Sequence, residues 1–338
     1  MASAIIDFVA LERPGHSSEL ANATLIEQLR ERARAFDRDR MAPYVAHFRA
    51  KHSDTIAGIF FYGSRLAEGE RAKGSLCDFF IVYDDARFHE RVGQRLLNCV
   101  LAPNVYTELF DGCATKVSTV SLARFRREMS PAARDIYHQG RFGKRVALVY
   151  ARDGAAEEVL LATWLAGMRA LVGRTLDLLG ETFTFEEFLL EVLTISYRGE
   201  VRAESPDKVA RLLEAERPFY EVVYRRLLEE RTGTAPYRQA VSRWRRFWTR
   251  RFLARSRRRM FYRWPKMILT VRNWLEVALA KLERTKGIVL PLTPLQRRFP
   301  LIFGWGHLWR VWRRGLLKGP DTHNANRKIE TPNDRPRG

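Results

Sequence analysis

The stretch FFYGSRLAEGERAKGSLCDFFIVYDD, residues 60–85, decides how this chain reads. Two aromatic-rich apolar runs flank a polar loop. Gly63-Ser64 closes the first run, Asp78 heads the second, and Asp84-Asp85 ends it. Unbroken apolar runs of this length, bounded by turn residues, predict strands buried in a sheet. A carboxylate beside Phe79-Phe80-Ile81-Val82 is costly unless it is paired or bound to a metal.

Working outward, residues 24–50 have the spacing of one amphipathic helix, and 86–101 have helical spacing. NVYTELF (104–110) and TKVSTVS (115–121) predict two strands around the turn DGCA. A short helix at 121–129 and the segment ARDIYHQGR lead to a further strand, RVALVY. Strands and helices in this order give an α+β unit of about 150 residues. Beyond Asp153 the pattern turns helical: 155–179, 185–197, 206–231, and a long basic stretch after Pro236. Gly180 and Gly199 mark helix ends, and Ser205-Pro206 a helix start. The expected organisation is a sheet-bearing domain over 1–153, a helical domain over 154–320, and a polar tail over 321–338 expected to be disordered. No internal repeat is present.

The 59 Lys and Arg against 39 Asp and Glu give a net charge of +20, with a pI near 10.4. That balance implies a polyanionic partner: nucleic acid, an anionic membrane or phosphorylated substrates. Cys77, Cys99 and Cys113 are three in number with no CxxC spacing, which supports neither a disulfide framework nor a zinc site. Reduced thiols and a cytoplasmic setting are expected. The first twenty residues carry Asp7 and Glu12 and no basic n-region, and so predict neither a signal nor a transit peptide. No run of about 18 apolar residues predicts a spanning helix.

Transfer of a nucleotidyl group to a phosphate needs a triphosphate held by backbone N–H groups and a hydroxyl. It also needs a divalent cation to offset developing charge, and a carboxylate on a rigid strand to hold that cation. A Gly-Ser turn lets the backbone approach phosphate, Ser64 adds a donor, and a carboxylate on the neighbouring strand can hold the metal. Gly63, Ser64 and Asp78 supply these types in this order. Taken alone, the same residues also describe an ordinary turn and a strand-end cap.

Here the sequence resembles a known family. YGS…DFFIVYDD is similar to the minimal nucleotidyltransferase signature and, within that superfamily, to the Tam41/Mmp37-type CTP:phosphatidate cytidylyltransferases. KVSTVS (116–121) resembles that family's lysine-led strand, and DIYHQGRFGKRVALV (135–149) its "LYxAGRLxKPV" block. FTFEEFLLEVLTISYRGEVR (183–202), followed by SPDKVARLL, resembles its "SYxGDxR" helix end. The four stretches run colinearly over roughly residues 55–225. The resemblance implies a nucleotidyltransferase-like mixed sheet with flanking helices, Mg²⁺ as cofactor, and CTP and phosphatidate as substrates. It further implies phosphate or nucleotide contacts from Lys116, Arg141, Lys144, Tyr197 and Arg202. The superfamily's second acid is absent at its usual place, because the residue two beyond Asp78 is Phe80. Glu108 is the candidate second metal ligand and Asp111 the alternative. Asp84 lies about 20 Å along the strand from Asp78, too far to share its cation. Asp84-Asp85 reads as a turn or helix cap. His89 and His138 read as surface residues without an assigned role.

From Arg231 to Leu275 there is no acidic residue. Trp244, Phe247, Trp248 and Phe252 form an aromatic stripe among arginines. A second patch sets Trp305, Trp309 and Trp312 against Arg310, Arg313 and Arg314. Such helices can lie in a bilayer interface; arginine with stacking aromatics also binds single-stranded nucleic acid. Ordinary core packing is the third reading. A lipid substrate favours the interface, giving a peripheral enzyme on the inner face of a membrane, with nucleic acid less favoured and no sequence feature that calls for a protein partner. The rival expectations are a nucleotidyltransferase acting on RNA or another phosphorylated acceptor, and a noncatalytic relative that binds lipid or nucleic acid.

Overall fold

In the computed structural model, residues 16–52, 55–67, 76–84, 92–111, 113–199, 213–270, 293 and 295 are described. The expected disordered tail, the Trp305–Trp312 patch, His89 and Arg202 lie outside them. The two runs of the opening stretch form β1 (Ile56–Tyr62) and β2 (Cys77–Tyr83), paired antiparallel with Phe60 opposite Phe80 and Tyr62 opposite Asp78. β3 (Asn104–Phe110) and β4 (Cys113–Ser121) form an antiparallel hairpin. β4 then runs parallel to β2, with Asp78 level with Lys116. β5 (Ala147–Ala151) closes the other side of β1, giving the order β3-β4-β2-β1-β5. The sheet is therefore mixed, and the α+β expectation holds.

Both faces of the sheet are covered, which is why β1 and β2 carry no polar alternation. On one face lie α1 (His16–Ala33) and, on the other, α2 (Arg38–His52), whose Met41 and Phe48 pack with Ile59, Phe61, Phe79 and Ile81. The single helix expected over 24–50 is thus two helices. The break falls at 34–37, where Asp37 accepts from the Arg40 N–H and starts the second helix. Two short elements follow β1 and precede β3: α3 (Ser64–Ala67) and α4 (Val92–Leu101).

Behind β4, α5 (Leu122–Glu128) is capped by Ser121, and α6 (Tyr137–Phe142) carries the HQGRF sequence. α7 (Gly154–Leu176) begins where the composition changes, with Asp153 accepting from the Ala156 N–H at 2.7 Å. It is long and apolar enough to cross a membrane, yet it lies mostly inside the protein. Its Leu160, Trp164 and Met168 are fully buried, and Trp164 meets Phe60 and Phe142 edge-on. β6 (Thr182–Phe183), α8 (Phe185–Arg198), α9 (Arg217–Thr232), β7 (Tyr237–Arg238) and α10 (Arg243–Thr270) follow. Thr184 and Glu187 form a reciprocal capping box on α8. One hydrophobic cluster runs continuously from Leu25 through Phe60 and Trp164 to Leu253, across the composition change at 153.

Candidate active site

The register sets the centre of the site. Asp78 opens β2 on the same face as Tyr62 of β1 and Lys116 of β4. The Lys116 ammonium donates to Asp78 Oδ1 at 3.1 Å, and each side chain is about a fifth exposed, 22% and 20%. The lone carboxylate at the head of an apolar strand is thus ion-paired, at the rim of the sheet. Gly63 lies directly over it with φ +88°, the left-handed region that favours glycine. A Cβ at 63 would meet Asp78 Oδ2 at 2.6 Å, so only glycine leaves that oxygen uncovered. Ser64 follows at once as the first residue of α3.

Burial by itself disfavours the Lys116 ammonium. Asp78, with smaller help from Tyr62 and Tyr137, more than offsets this and raises its pKa above the ordinary lysine value, while Arg141 opposes. Burial likewise pushes the Tyr62 hydroxyl up, against the pull of Lys116. These opposing influences bring Arg141 of α6 into the electrostatic reach of the Asp78–Lys116 pair. Arg141 is buried, donates to the Tyr137 carbonyl at 2.9 Å, and lies 3.3 Å over the Tyr137 ring. The Arg263 guanidinium of α10 lies 4.5 Å from the same ring, so Tyr137 sits between two arginines. Tyr62, Tyr137 and Arg263 were not singled out from sequence. For Tyr137, its place within the DIYHQGR block was the available signal.

Lys144 and Tyr197 are also brought together. The Lys144 ammonium donates to the Tyr197 hydroxyl at 2.8 Å and lies 4.0 Å over its ring. α6, which ends two residues before Lys144, approaches α8 closely because Gly140 has no side chain: a Cβ there would meet Ser196 Cβ at 2.6 Å.

Glu108 is not brought to Asp78. Thr107, one residue earlier, is level with Lys116, so Glu108 points through the opposite face of the sheet. There Lys51 of α2 donates to it and His47 lies 3.2 Å away. The expectation of Glu108 as the second metal ligand is corrected by this alternation. Asp111 sits exposed at the tip of the β3–β4 hairpin with φ +49°, about 13 Å along the strand from the level of Lys116. Asp84 accepts from Arg152 at 2.6 Å, which supports its reading as a structural turn.

His138 is fully buried, contrary to the surface reading. Its ring nitrogens lie near Glu128 and Asp135, with the ligand atoms of all three within 4.8 Å. The carboxylates there are already engaged by arginine. Asp135 accepts from Arg259 at 2.7 Å and Arg263 at 3.0 Å, and Glu128 lies 3.1 Å from Arg124 Nε. A divalent cation would join three guanidinium groups in a dry space, so the chemistry of this set fits an ion-pair core better than a metal centre.

α10 divides cleanly by face. Trp244 and Tyr262 are five helical turns apart and so point the same way, with Arg251 and Arg255 between them. Trp244, Phe247, Trp248, Phe261 and Tyr262 are all exposed. Half a turn away, Leu253, Ser256 and Met260 are buried. Phe252 belongs to the buried side: it packs against the core with Arg174 over its ring at 4.2 Å, and so is not part of the exposed stripe.

A family model described as mitochondrial phosphatidate cytidylyltransferase, Tam41/Mmp37, matches residues 98–273, just over half of the chain. The chain belongs to this family. It is therefore a nucleotidyltransferase of the phosphatidate cytidylyltransferase class, whose family substrates are CTP and phosphatidate. The matched span contains Lys116, Arg141, Lys144, Tyr197 and Arg202 together with the whole of α10. Gly63, Ser64 and Asp78 precede it and join it through the sheet register. No curated protein matches the chain.

Proposed function

We propose that this cytidylyltransferase transfers CMP from CTP to phosphatidate at an anionic membrane surface, releasing CDP-diacylglycerol and pyrophosphate, with Asp78 holding Mg²⁺. The observation that carries the assignment is the Asp78–Lys116 pair under Gly63. One carboxylate with an oxygen that only glycine at 63 leaves uncovered fits a cation that completes its shell with substrate phosphates and water. Bound there, Mg²⁺ would offset the charge that develops on the α-phosphate and the leaving pyrophosphate.

The protein's own residues position and neutralise. The backbone at Gly63-Ser64 and the Ser64 hydroxyl bind the triphosphate. Lys116 exchanges its contact with Asp78 for a phosphate oxygen when the nucleotide arrives. Arg141, held flat on Tyr137, offers its guanidinium edge to phosphate, and Lys144 with Tyr197 lines the nucleotide side. Arg202, in the block that resembles the family's SYxGDxR helix end, would add a phosphate or nucleotide contact. The phosphatidate phosphate is already ionised, so its oxygen attacks the α-phosphorus in line without a general base. The rate gain comes from orientation and charge compensation.

The exposed face of α10 supports docking to a bilayer. Its aromatics span about 27 Å from Trp244 to Tyr262, and Arg251, Arg255 and Arg258 point to the same side, suiting anionic headgroups. The test is incubation with Mg²⁺, phosphatidate vesicles and each nucleoside triphosphate in turn, reading pyrophosphate and lipid-linked nucleotide. Release with CTP and phosphatidate alone is expected, collapsing in Asp78→Asn. Labelling of RNA in place of lipid, or full turnover by Asp78→Asn, would overturn the reading.

A further inference from the structure

Behind the catalytic pair, on the α2 face of the sheet, two thiols meet. Cys77 Sγ and Cys113 Sγ are 3.4 Å apart, one at the start of β2 and the other at the start of β4. Cys77 is buried and lies 3.9 Å from the Tyr44 hydroxyl. Cys113 is partly exposed, with the Arg65 guanidinium 3.8 Å from its sulfur. Each member of this cluster is a near neighbour of an active-site residue. Arg65 follows Ser64, Cys77 precedes Asp78, and Cys113 lies three residues before Lys116.

We propose that Cys77 and Cys113 are a thiol-modification site, closing to a disulfide in the presence of a small-molecule disulfide and thereby slowing nucleotidyl transfer. The effect on transfer rests on the function proposed above; the bond itself does not. Cys113, the accessible sulfur beside a cation, attacks one sulfur of the oxidant as thiolate and expels the first small thiol. Cys77 then gives up its proton, attacks the Cys113 sulfur and expels the second. Two protein thiols are oxidised by two electrons, and one small disulfide is reduced to two thiols. Burial keeps the Cys77 sulfur from the oxidant itself, so it enters only as the second, resolving thiol.

The register sets Cys77 level with Thr115, two residues past Cys113, so the pair is diagonal and the sulfurs must close from 3.4 Å to about 2.05 Å. That movement of over 1 Å draws the starts of β2 and β4 together and takes Cys113 away from Arg65. Misplacement of catalytic groups on this scale lowers turnover by about ten- to a hundredfold.

The full-length enzyme is incubated with oxidised glutathione at pH 8.5, then quenched, and its thiols are titrated in denaturant and mapped by mass spectrometry. Of the three thiols in the chain, two should disappear, with residues 77 and 113 in one linked peptide. Transfer should fall and return with dithiothreitol; Cys99→Ser should behave as wild type, whereas Cys113→Ser should retain activity in oxidant. Three titratable thiols after treatment, or linkage through Cys99, would overturn the site. A mapped 77–113 bond with turnover within twofold of the reduced enzyme would overturn its effect on catalysis. An enzyme inactive even when reduced would count against the function proposed above, while thiol titration would still decide the site.

Discussion

Gly63→Ala is the sharpest probe of the centre. The alanine Cβ would arrive 2.6 Å from Asp78 Oδ2, so the carboxylate must retreat by about 0.8 Å to reach the 3.4 Å of ordinary contact. The backbone at 63 would also keep a φ of +88° that an L-residue adopts at a cost of about 1–2 kcal/mol. A protein of this size can bear that loss. A shift approaching 1 Å at the carboxylate, however, costs turnover up to about a hundredfold. The variant should therefore fold, with a thermal midpoint lowered by a few degrees, and lose at least about tenfold in kcat with phosphatidate vesicles and CTP. Circular dichroism and pyrophosphate release measure the two effects separately. If Gly63→Ala kept kcat within twofold of wild type, Asp78 would not be the group on which the chemistry depends.

Asp135→Asn should destabilise the fold by about 3 kcal/mol, because Arg259 and Arg263 lose their buried acceptor. Burial alone would raise the Asp135 pKa; Arg263 and Arg259 outweigh it and bring it down to about 2. The pair's stabilisation is then full above about pH 4 and fades as pH falls towards 2, a loss that urea unfolding should show in wild type and not in the variant. His138 is held neutral by burial, its pKa well below 6.5. Below that pH the unfolded chain takes up a proton the native state refuses, so stability should fall by up to about 1.4 kcal/mol per pH unit, and His138→Gln should flatten the slope. Joint replacement of Trp244, Phe247 and Trp248 by alanine should reduce partition onto phosphatidate vesicles at least about tenfold, with soluble-state melting unchanged. Unaltered co-sedimentation with the vesicles would assign the exposed stripe another purpose.

The sheet was legible because its strands are long apolar or β-branched runs with clear turns between them. The five strands of the main sheet fall within two residues of their expected bounds, whereas the two-residue β6 and β7 were not expected. The helix break at 34–37 was obscured because arginine and alanine continue on both sides. The Asp78–Lys116 pairing depends on β2 and β4 being parallel neighbours, a long-range choice that local pattern does not encode. Glu108 shows the same limit in reverse: its residue type suited a metal, but strand alternation turned it to α2. His138 looked like a surface group because a single buried imidazole leaves no periodic trace. The aromatic stripe was half readable. Trp244 and Trp248 keep their place, while Phe252 was claimed by the core.

The basic C-terminal helix is more than a detachable tether. Ser256 donates to the Gly199 carbonyl and accepts from the Ile136 N–H, while Lys266 donates to the carbonyls of Leu101 and Pro103. Cutting the chain before residue 243 would strip α6 and the strand edge of these partners and uncover the apolar surface that Leu253 and Met260 bury. Loss of activity on truncation would then report a damaged scaffold as much as a lost foothold on lipid. Point changes on the outer stripe are the cleaner way to ask what the surface is for.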